Sequence, residues 1–431
     1  MRYVLTGLIV SLLCHGINQT KSVAEDWPHW RGPTRNDSTT EVSGWNGQSW
    51  LKEKPVWEAQ VGDGGSSPLV IGENVYTLGW SEKSEAVTCL DAATGQQRWS
   101  VKYPSPQWGR FHEGDEGLYS GPLSTPEYDA ETGFLYTLSI DGELNCWDTQ
   151  QAGKSIWKTN LYSTFQVKKR PKLTRAPLRD YGYTSSPLIY REWLLVEVGS
   201  ATGCLIAFEK KTGRVLWTSE CTSPAGHNGG PVPMTVEGVP CVALLNIREL
   251  VVIRLDTGHE GKTLGTYPWV TDFANNVATP AVHGDNVLIT SHYNHGTMCR
   301  VRMTLQGLEK VWETDYASKV CSPVVHKGFV YFTWQKMRCL DWDTGQQKWE
   351  GGTFSDPGSC IVTSDDRLIV YGYNGKLALI ETAVRSPERY TELSVRDHIF
   401  RSEAWPHAVI SHGRVLCRDR LGHLVCFAVN K

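Results

Sequence analysis

The stretch Cys339 to Trp349, CLDWDTGQQKW, is nearly a copy of Cys89 to Trp99, CLDAATGQQRW. Looser versions occupy Ala207 to Trp217, AFEKKTGRVLW, and Cys146 to Trp157, CWDTQQAGKSIW. Each has a short apolar run, a turn containing Gly, and Trp four residues after that Gly. A chain that returns to one local motif is a repeat protein, and the repeat limits its architecture before any other property is considered.

The motif has a direct physical reading. The apolar run predicts a strand. Asp-x-x-Thr-Gly predicts a tight reversal, because Asp bonds nearby backbone and Gly accepts positive φ without a Cβ clash. The Trp then falls early in the returning strand, where one large ring fills space between stacked sheets.

The recurrent Trp positions are Trp57, Trp99, Trp157, Trp217, Trp312 and Trp349. The long gap after Trp217 contains a further unit, Val251 to Leu264, VVIRLDTGHEGKTL, which keeps the turn and lacks the Trp. A second marker, a small residue usually followed by Pro, opens each unit. It occurs eight times: SSPLV at Ser66, GPLST at Gly121, SSPLI at Ser185, GPVPM at Gly230, ATPAV at Ala278, CSPVV at Cys321, GSCIV at Gly358 and AWPHAV at Ala404. Alternating apolar runs such as NVYTLG follow these openers, the pattern of half-buried strands.

Units of about 40 to 50 residues with four strands each predict a β-propeller. The fold class expected is all-β, an eight-bladed propeller of four-stranded antiparallel blades. The last unit has only three strands before Lys431, while Lys54 to Gln60 carries Trp57 with no unit before it. That N-terminal strand is expected to complete the last blade and leave no unpaired edge at the seam.

Three segments are expected. Residues 1–24 read as a signal peptide, with Arg2 before an apolar run too short to span a bilayer and Ser22-Val23-Ala24 as the cleavage region. A lipid anchor at Cys14 is disfavoured, because Ser11-Leu12-Leu13 lacks the small residue that such processing needs. Residues 25–53 form a Trp-rich leader expected to lie across the ring with Trp27, Trp30 and Trp45 as anchors, and residues 54–431 form the propeller. The expected location is periplasmic or secreted, with no transmembrane segment. A net charge of −3 leaves no global basic footprint for nucleic acid. A monomer is expected.

Cysteine placement argues against a disulfide framework. Cys89, Cys146, Cys339 and Cys426 fall at one site of their respective blades, whole blades apart, beyond the roughly 4.4 to 6.8 Å that a bridge requires between Cα atoms. They are read as buried small hydrophobes. One bridge among Cys204, Cys221, Cys241, Cys299, Cys321, Cys360 and Cys417 is left open.

The turn-and-Trp ending, the small-Ser-Pro openers and the eight units resemble the pyrroloquinoline quinone propeller repeat family, over Lys54 to Lys431. DWPHWRGP ahead of such repeats resembles a group of exported bacterial propellers of undefined activity. The resemblance implies the propeller fold. It leaves two functional classes open, since the superfamily holds both quinoprotein alcohol dehydrogenases and a non-enzymatic propeller lipoprotein of the outer-membrane β-barrel assembly machinery. The dehydrogenases hold their cofactor between a Trp face and a disulfide of adjacent cysteines, with Ca²⁺ on Glu and Asn and an Asp as base. This sequence has no Cys-Cys pair and no CxxCH haem site. The expectation is therefore no catalytic residue, no metal and no cofactor, with pyrroloquinoline quinone and Ca²⁺ as the alternative and Asp180 or Asp272 as its carboxylate.

Function is expected in the long connections between blades, which open around the channel mouth. The ligand-binding candidates there are Arg110, His112, Asp180, Tyr183, His227, Asn228, Trp269, Asp272, Asn276 and Arg401. One connection concentrates Lys168, Lys169, Arg170, Lys172, Arg175 and Arg179, a cationic loop suited to a protein partner or an anionic carbohydrate. His292 and His295 are three apart in a hairpin, so they are expected to point to opposite faces and not to share a metal. The functional expectation is an exported non-catalytic scaffold that presents these loops, in cell-envelope biogenesis. The alternative is a quinoprotein oxidoreductase or a sugar-directed enzyme on the same face.

Overall fold

The computed structural model describes residues 24–106, 121–168, 181–227, 229–272, 275–356 and 358–430. They form eight antiparallel sheets in sequence order around a ring. The first blade shows the plan, with strands Leu69–Ile71, Asn74–Ser81, Ser84–Asp91 and Gln97–Pro104 paired from the channel outward. In the sixth blade the two middle strands run as one element, Phe329–Asp341. Its first half pairs with Val324–His326 and its second with Gln347–Ser355. The chain reverses at Gln335, where φ is +62°.

The last blade closes as expected. Trp57–Gln60 pairs antiparallel with His423–Ala428, Trp57 opposite Cys426. Among the described residues no helix is long and apolar enough to cross a membrane.

Both sequence markers prove to be contacts between neighbouring blades. Five of the six repeat Trp dock on the turn Gly of the next blade, while Trp349 meets Tyr390 of the seventh blade instead. A Cβ at Gly95 would lie 2.6 Å from the Trp57 ring, and one at Gly153 or Gly213 would lie 2.6 Å from Trp99 or Trp157. Trp57 Nε1 donates to Ala92 O at 2.9 Å and Trp312 Nε1 to Trp342 O at 2.9 Å. The openers stitch the inner ends: Ser67 N donates to Thr125 Oγ1, Thr125 N to Ser186 Oγ, Thr279 N to Ser322 Oγ and His407 N to Ser67 Oγ, all within 3.1 Å. At these openers a small hydroxyl satisfies a buried N–H of the neighbouring blade, which would otherwise carry a desolvation penalty.

The core accordingly lies between blades. Leu188, Leu195 and Leu205 of the third pack with Val242, Leu244 and Val251 of the fourth. Cys89, Cys146, Cys339 and Cys426 are all buried in it, as expected from their shared position.

The leader runs across the ring inside the channel. Trp27 pairs with Val70 on the first blade's inner strand through both backbone bonds, 2.7 and 3.1 Å. Arg31 ion-pairs with Asp37 and donates to Pro280 O at 3.2 Å and Pro323 O at 2.6 Å, reaching the fifth and sixth blades. Arg35 and His29 both reach Glu127 on the second blade. Asp37 and Thr39 bond Val362 on the seventh blade, and Glu41 caps the backbone of His412 and Gly413 on the eighth.

The physical reason is the polarity of the segment. Its charged side chains find partners on one another and on backbone and side chains at or beside the inner strands around the ring axis. Of the expected anchors, Trp27 is buried and Trp45 only partly so. Trp50, not anticipated, is buried and donates to Ser43 O at 2.8 Å.

A candidate binding cup at the channel mouth

Because the leader fills the channel, its upper end becomes a cup. Residues just ahead of the inner strands form the wall: Gly65, Leu123, Thr184, His227, Gly229, Asn275, Val277, Val320, Ser322, Trp405 and His407. Tyr181 and Tyr293 add to the rim, and Trp30 of the leader supplies the floor. The cavity measures about 720 Å³ including the space open at its mouth.

Trp30 is fixed by Nε1 donating to Thr279 Oγ1 at 3.1 Å and by the His407 ring, whose centroid is 4.2 Å away. Gly229 leaves room for it, since a Cβ there would lie 2.4 Å from Trp30 Nε1. Gly65 does the same for Trp405, at 2.6 Å. Tyr181 meets His227 edge to face at 4.8 Å, and Lys319 lies over the Tyr293 ring at 5.2 Å.

Directly beneath the floor, Asp37 is fully buried. Burial raises its carboxyl, but the Arg31 guanidinium and His407 outweigh that and hold it below the usual carboxylate range. Glu127 behaves alike: burial opposes ionisation, yet Arg35 and His29 bring it down to about 2. The plug thus carries fixed opposite charges, while the described cup above it is lined mainly by aromatic and small side chains, with no Lys, Arg, Asp or Glu.

A different carboxyl sits between the first two blades at the mouth face. Glu85 is fully buried and accepts from Tyr103 Oη at 2.7 Å, Ser139 Oγ at 3.0 Å and Ser105 Oγ at 3.2 Å. Burial pushes it up to about 7. Tyr103 and Ser139 oppose the rise, and Asp141 adds to it.

The sequence-predicted residues divide three ways. His227 lies in the cup wall. Tyr183, Trp269 and Asn276 are structural. Tyr183 is buried against Tyr162 and donates to Val198 O at 3.1 Å. Trp269 is buried under His295, 4.1 Å between ring centroids. Asn276 is buried and donates to Asn246 O and Trp269 O at 2.9 and 3.0 Å, pinning its loop. Asp272 does not line the cup, and its amide donates to Asn294 Oδ1 at 2.6 Å. Arg401 is exposed and lines a separate groove with Arg396, Phe400 and Phe427.

Arg110, His112, Asp180 and Asn228 lie outside the described residues, as do Lys169, Arg170, Lys172, Arg175 and Arg179 of the basic loop. Lys168 lies at the edge of the described chain, two residues after the single-turn helix Leu161–Thr164 and the turn that follows it. The two hairpin histidines do point apart: His292 stacks on Trp334 at 3.5 Å and His295 on Trp269, and burial lowers the pKa of both.

Trp30, Trp405, His407, Tyr293 and Tyr181 were missed as cup residues. One signal was present. In AWPHAV, Trp405 stands where other openers carry Ser or Thr, and a bulky ring at a hydroxyl position marks a residue turned into the channel mouth.

Fit to pyrroloquinoline quinone can be tested on this lining. The cofactor is a planar tricarboxylate that needs cations around its carboxylates and oxygen ligands for Ca²⁺. Among the described residues, the cup wall contains neither Lys nor Arg and neither Asp nor Glu, and no cluster of three metal-ligating side chains occurs. The described residues of the cup wall do not fit the group.

Ring, openers and Trp-on-Gly docking define an eight-bladed propeller of the quinoprotein type. The crystal structure of BamB from Moraxella catarrhalis superposes with a TM-score of 0.60 at 11% identity, over 87% of this chain and 99% of that one. Quinohemoprotein alcohol dehydrogenase from Comamonas testosteroni superposes equally, TM-score 0.60 at 12% identity, over 95% of this chain and 81% of that one. Both show the fold alone. At the sequence level, residues 82–351 match the family described as outer membrane protein assembly factor BamB, and the chain belongs to that family. A curated relative, outer membrane protein assembly factor BamB of Burkholderia pseudomallei, is 25% identical over 202 residues, 41% of this chain and 48% of that protein. The match therefore spans about half the length of that relative.

Proposed function

We propose that the protein is a periplasmic scaffold in outer-membrane protein assembly, which uses the aromatic cup and its surrounding loops to hold a protein partner. The observation that carries this reading is the plugged channel. A leader held by buried ion pairs turns an open ring into a rigid cup with an aromatic floor and wall, and rigid aromatic surface is what protein recognition sites are enriched in. Membership of a family described as an outer membrane assembly factor supports the process. The described lining carries no Lys or Arg to meet the carboxylates of a quinone, which favours the side chains of a protein. The basic loop at Lys168 to Arg179 serves as a secondary, electrostatic contact for an acidic partner.

Deletion of the gene in its host, followed by quantitation of folded outer-membrane β-barrels by heat-modifiable gel mobility, tests the reading. Folded barrels are expected to fall several-fold, to recover with the wild-type gene, and to recover incompletely with Trp405→Ala. Unchanged barrel levels on deletion would remove outer-membrane assembly as the function.

A further inference from the structure

In the third blade, strand Gly203–Glu209 and the outer strand Val215–Thr218 run on past their last ladder pair into the loop that leads to the cup. There Cys204 N donates to Cys221 O at 2.5 Å. Ser219 ties the two residues together. Its Oγ lies 3.4 Å from Cys204 Sγ and donates to Cys221 O at 2.9 Å. The backbone bond from Cys204 N to Cys221 O makes the two residues neighbours across the strand pair, one step off direct opposition, at the close range of about 4.4 to 6.8 Å between Cα atoms that a disulfide bridges. Each thiol is also the largest influence on the other's proton affinity, which requires the two side chains to be close.

Their environments differ in the way that directed thiol chemistry needs. Cys204 is fully buried, and its thiol is pushed far up by the bond to Cys221 and by burial. Cys221 is partly exposed. Of the eleven described cysteines it is the one that is not buried. The bond from Cys204 outweighs burial and brings its thiol down to about 7, near the pH at which an attacking thiol is most effective. By contrast, Cys321 and Cys360 also share a thiol hydrogen bond, but both are buried, which leaves an oxidant no approach.

We propose that Cys204 and Cys221 are a reversible dithiol–disulfide pair that fastens the segment Cys221 to His227, which leads into the cup wall, to the third blade. The oxidant is a small disulfide of the glutathione class. Cys221 thiolate attacks one of its sulfurs, forming a mixed disulfide and releasing one thiol. Cys204, as it loses its proton, attacks Cys221 Sγ and expels the second thiol. Two protein thiols are oxidised to one S–S bond, and one small disulfide is reduced to two small thiols. The bond fixes the start of the segment that carries His227 into the cup wall. Ser223 Oγ donating to Glu249 Oε1 at 2.7 Å and Gly226 N to Glu197 Oε1 at 2.8 Å hold its middle. This pairing is independent of what the cup binds.

The test incubates the purified full chain with oxidised glutathione at pH 7.5, quenches with acid, alkylates under denaturing conditions and maps peptides by mass. The expected product links the Cys204 and Cys221 peptides with loss of two hydrogen atoms, and excess reduced glutathione returns both thiols. Cys204→Ser is expected to stall at a stable glutathione adduct on Cys221. Cys221→Ser is expected to leave Cys204 alkylatable. Full alkylation of both residues in the wild type at every glutathione ratio, or a wild-type adduct at Cys221 that never resolves, would overturn the proposal. Since the wild-type arm needs no variant, a folding defect in either mutant cannot decide the outcome.

Discussion

The ring of Trp57, on the strand that closes the eighth blade, occupies the space where a side chain at Gly95 of the first blade would begin, 2.6 Å from an added Cβ. Gly95 therefore meets two demands at once. Its φ of +72° makes the turn, and its missing Cβ admits the neighbouring blade's indole.

Gly95→Ala separates these demands from ordinary turn strain. Gly72 also has positive φ, +53°, but an added Cβ there meets nothing within 4 Å. Gly72→Ala is expected to cost about 1 kcal/mol from the backbone alone. Gly95→Ala adds a clash at the ring seam and is expected to cost about 1–3 kcal/mol more. Urea unfolding midpoints of the two variants check this, and equal losses would show that the indole yields freely.

The plug makes a second claim. Arg31 and Asp37 are both 1% exposed, so neither charge can be solvated if its partner is removed. Asp37→Ala is expected to destabilise by about 3–5 kcal/mol, the usual cost of leaving a buried charge unpaired, with little dependence on added salt. Chemical denaturation at low and high salt reads both. A small, strongly salt-dependent loss would mean that the leader leaves the channel readily.

These two relationships show which parts of the fold the sequence disclosed. The Asp-x-x-Thr-Gly turn, the Trp and the Ser-Pro opener are local motifs repeated around a ring, so periodicity alone fixed blade number and the closing strand. The partners of those residues were not legible, because Trp57 meets Gly95 across a blade boundary and Ser67 meets Thr125 likewise. The leader's depth in the channel was not legible for the same reason. Nothing local in DWPHWRGP states that Arg31 reaches Pro280 and Pro323, contacts made only once the ring exists. In the cup, His227 was found from its loop position, but Trp269 and Asn276 satisfied the same criterion while serving the core.

The cup wall, with no Lys or Arg among its described residues, predicts how the chain treats pyrroloquinoline quinone. Titration with pyrroloquinoline quinone and Ca²⁺, followed by cofactor absorbance and dye-linked oxidation of alcohols and sugars, is expected to show no saturable binding. Saturable binding with turnover would return Asp180 and Asp272 to consideration as the carboxylate, and alanine variants of each would then identify it.

Two buried glutamates predict opposite pH dependences. Glu127 is held down to about 2, below the ordinary 4.5, so the folded state binds fewer protons than the unfolded one between those values. Its stabilisation is complete above about pH 4.5 and is lost as pH falls toward 2. Glu85 is raised to about 7, so the folded state binds more protons between 4.5 and 7. Stability from this group is complete below 4.5 and declines as pH rises through 7, at up to about 1.4 kcal/mol per pH unit. Glu85→Gln keeps an acceptor for Tyr103 and removes the titration. It is expected to flatten the stability profile between pH 5 and 7.5 while leaving the acid limb unchanged, and Glu127→Gln is expected to change the acid limb alone. Denaturation midpoints of the three proteins across pH 3 to 8 separate the two groups. A wild-type profile already flat from pH 5 to 7.5 would mean that Glu85 ionises normally in the folded ring.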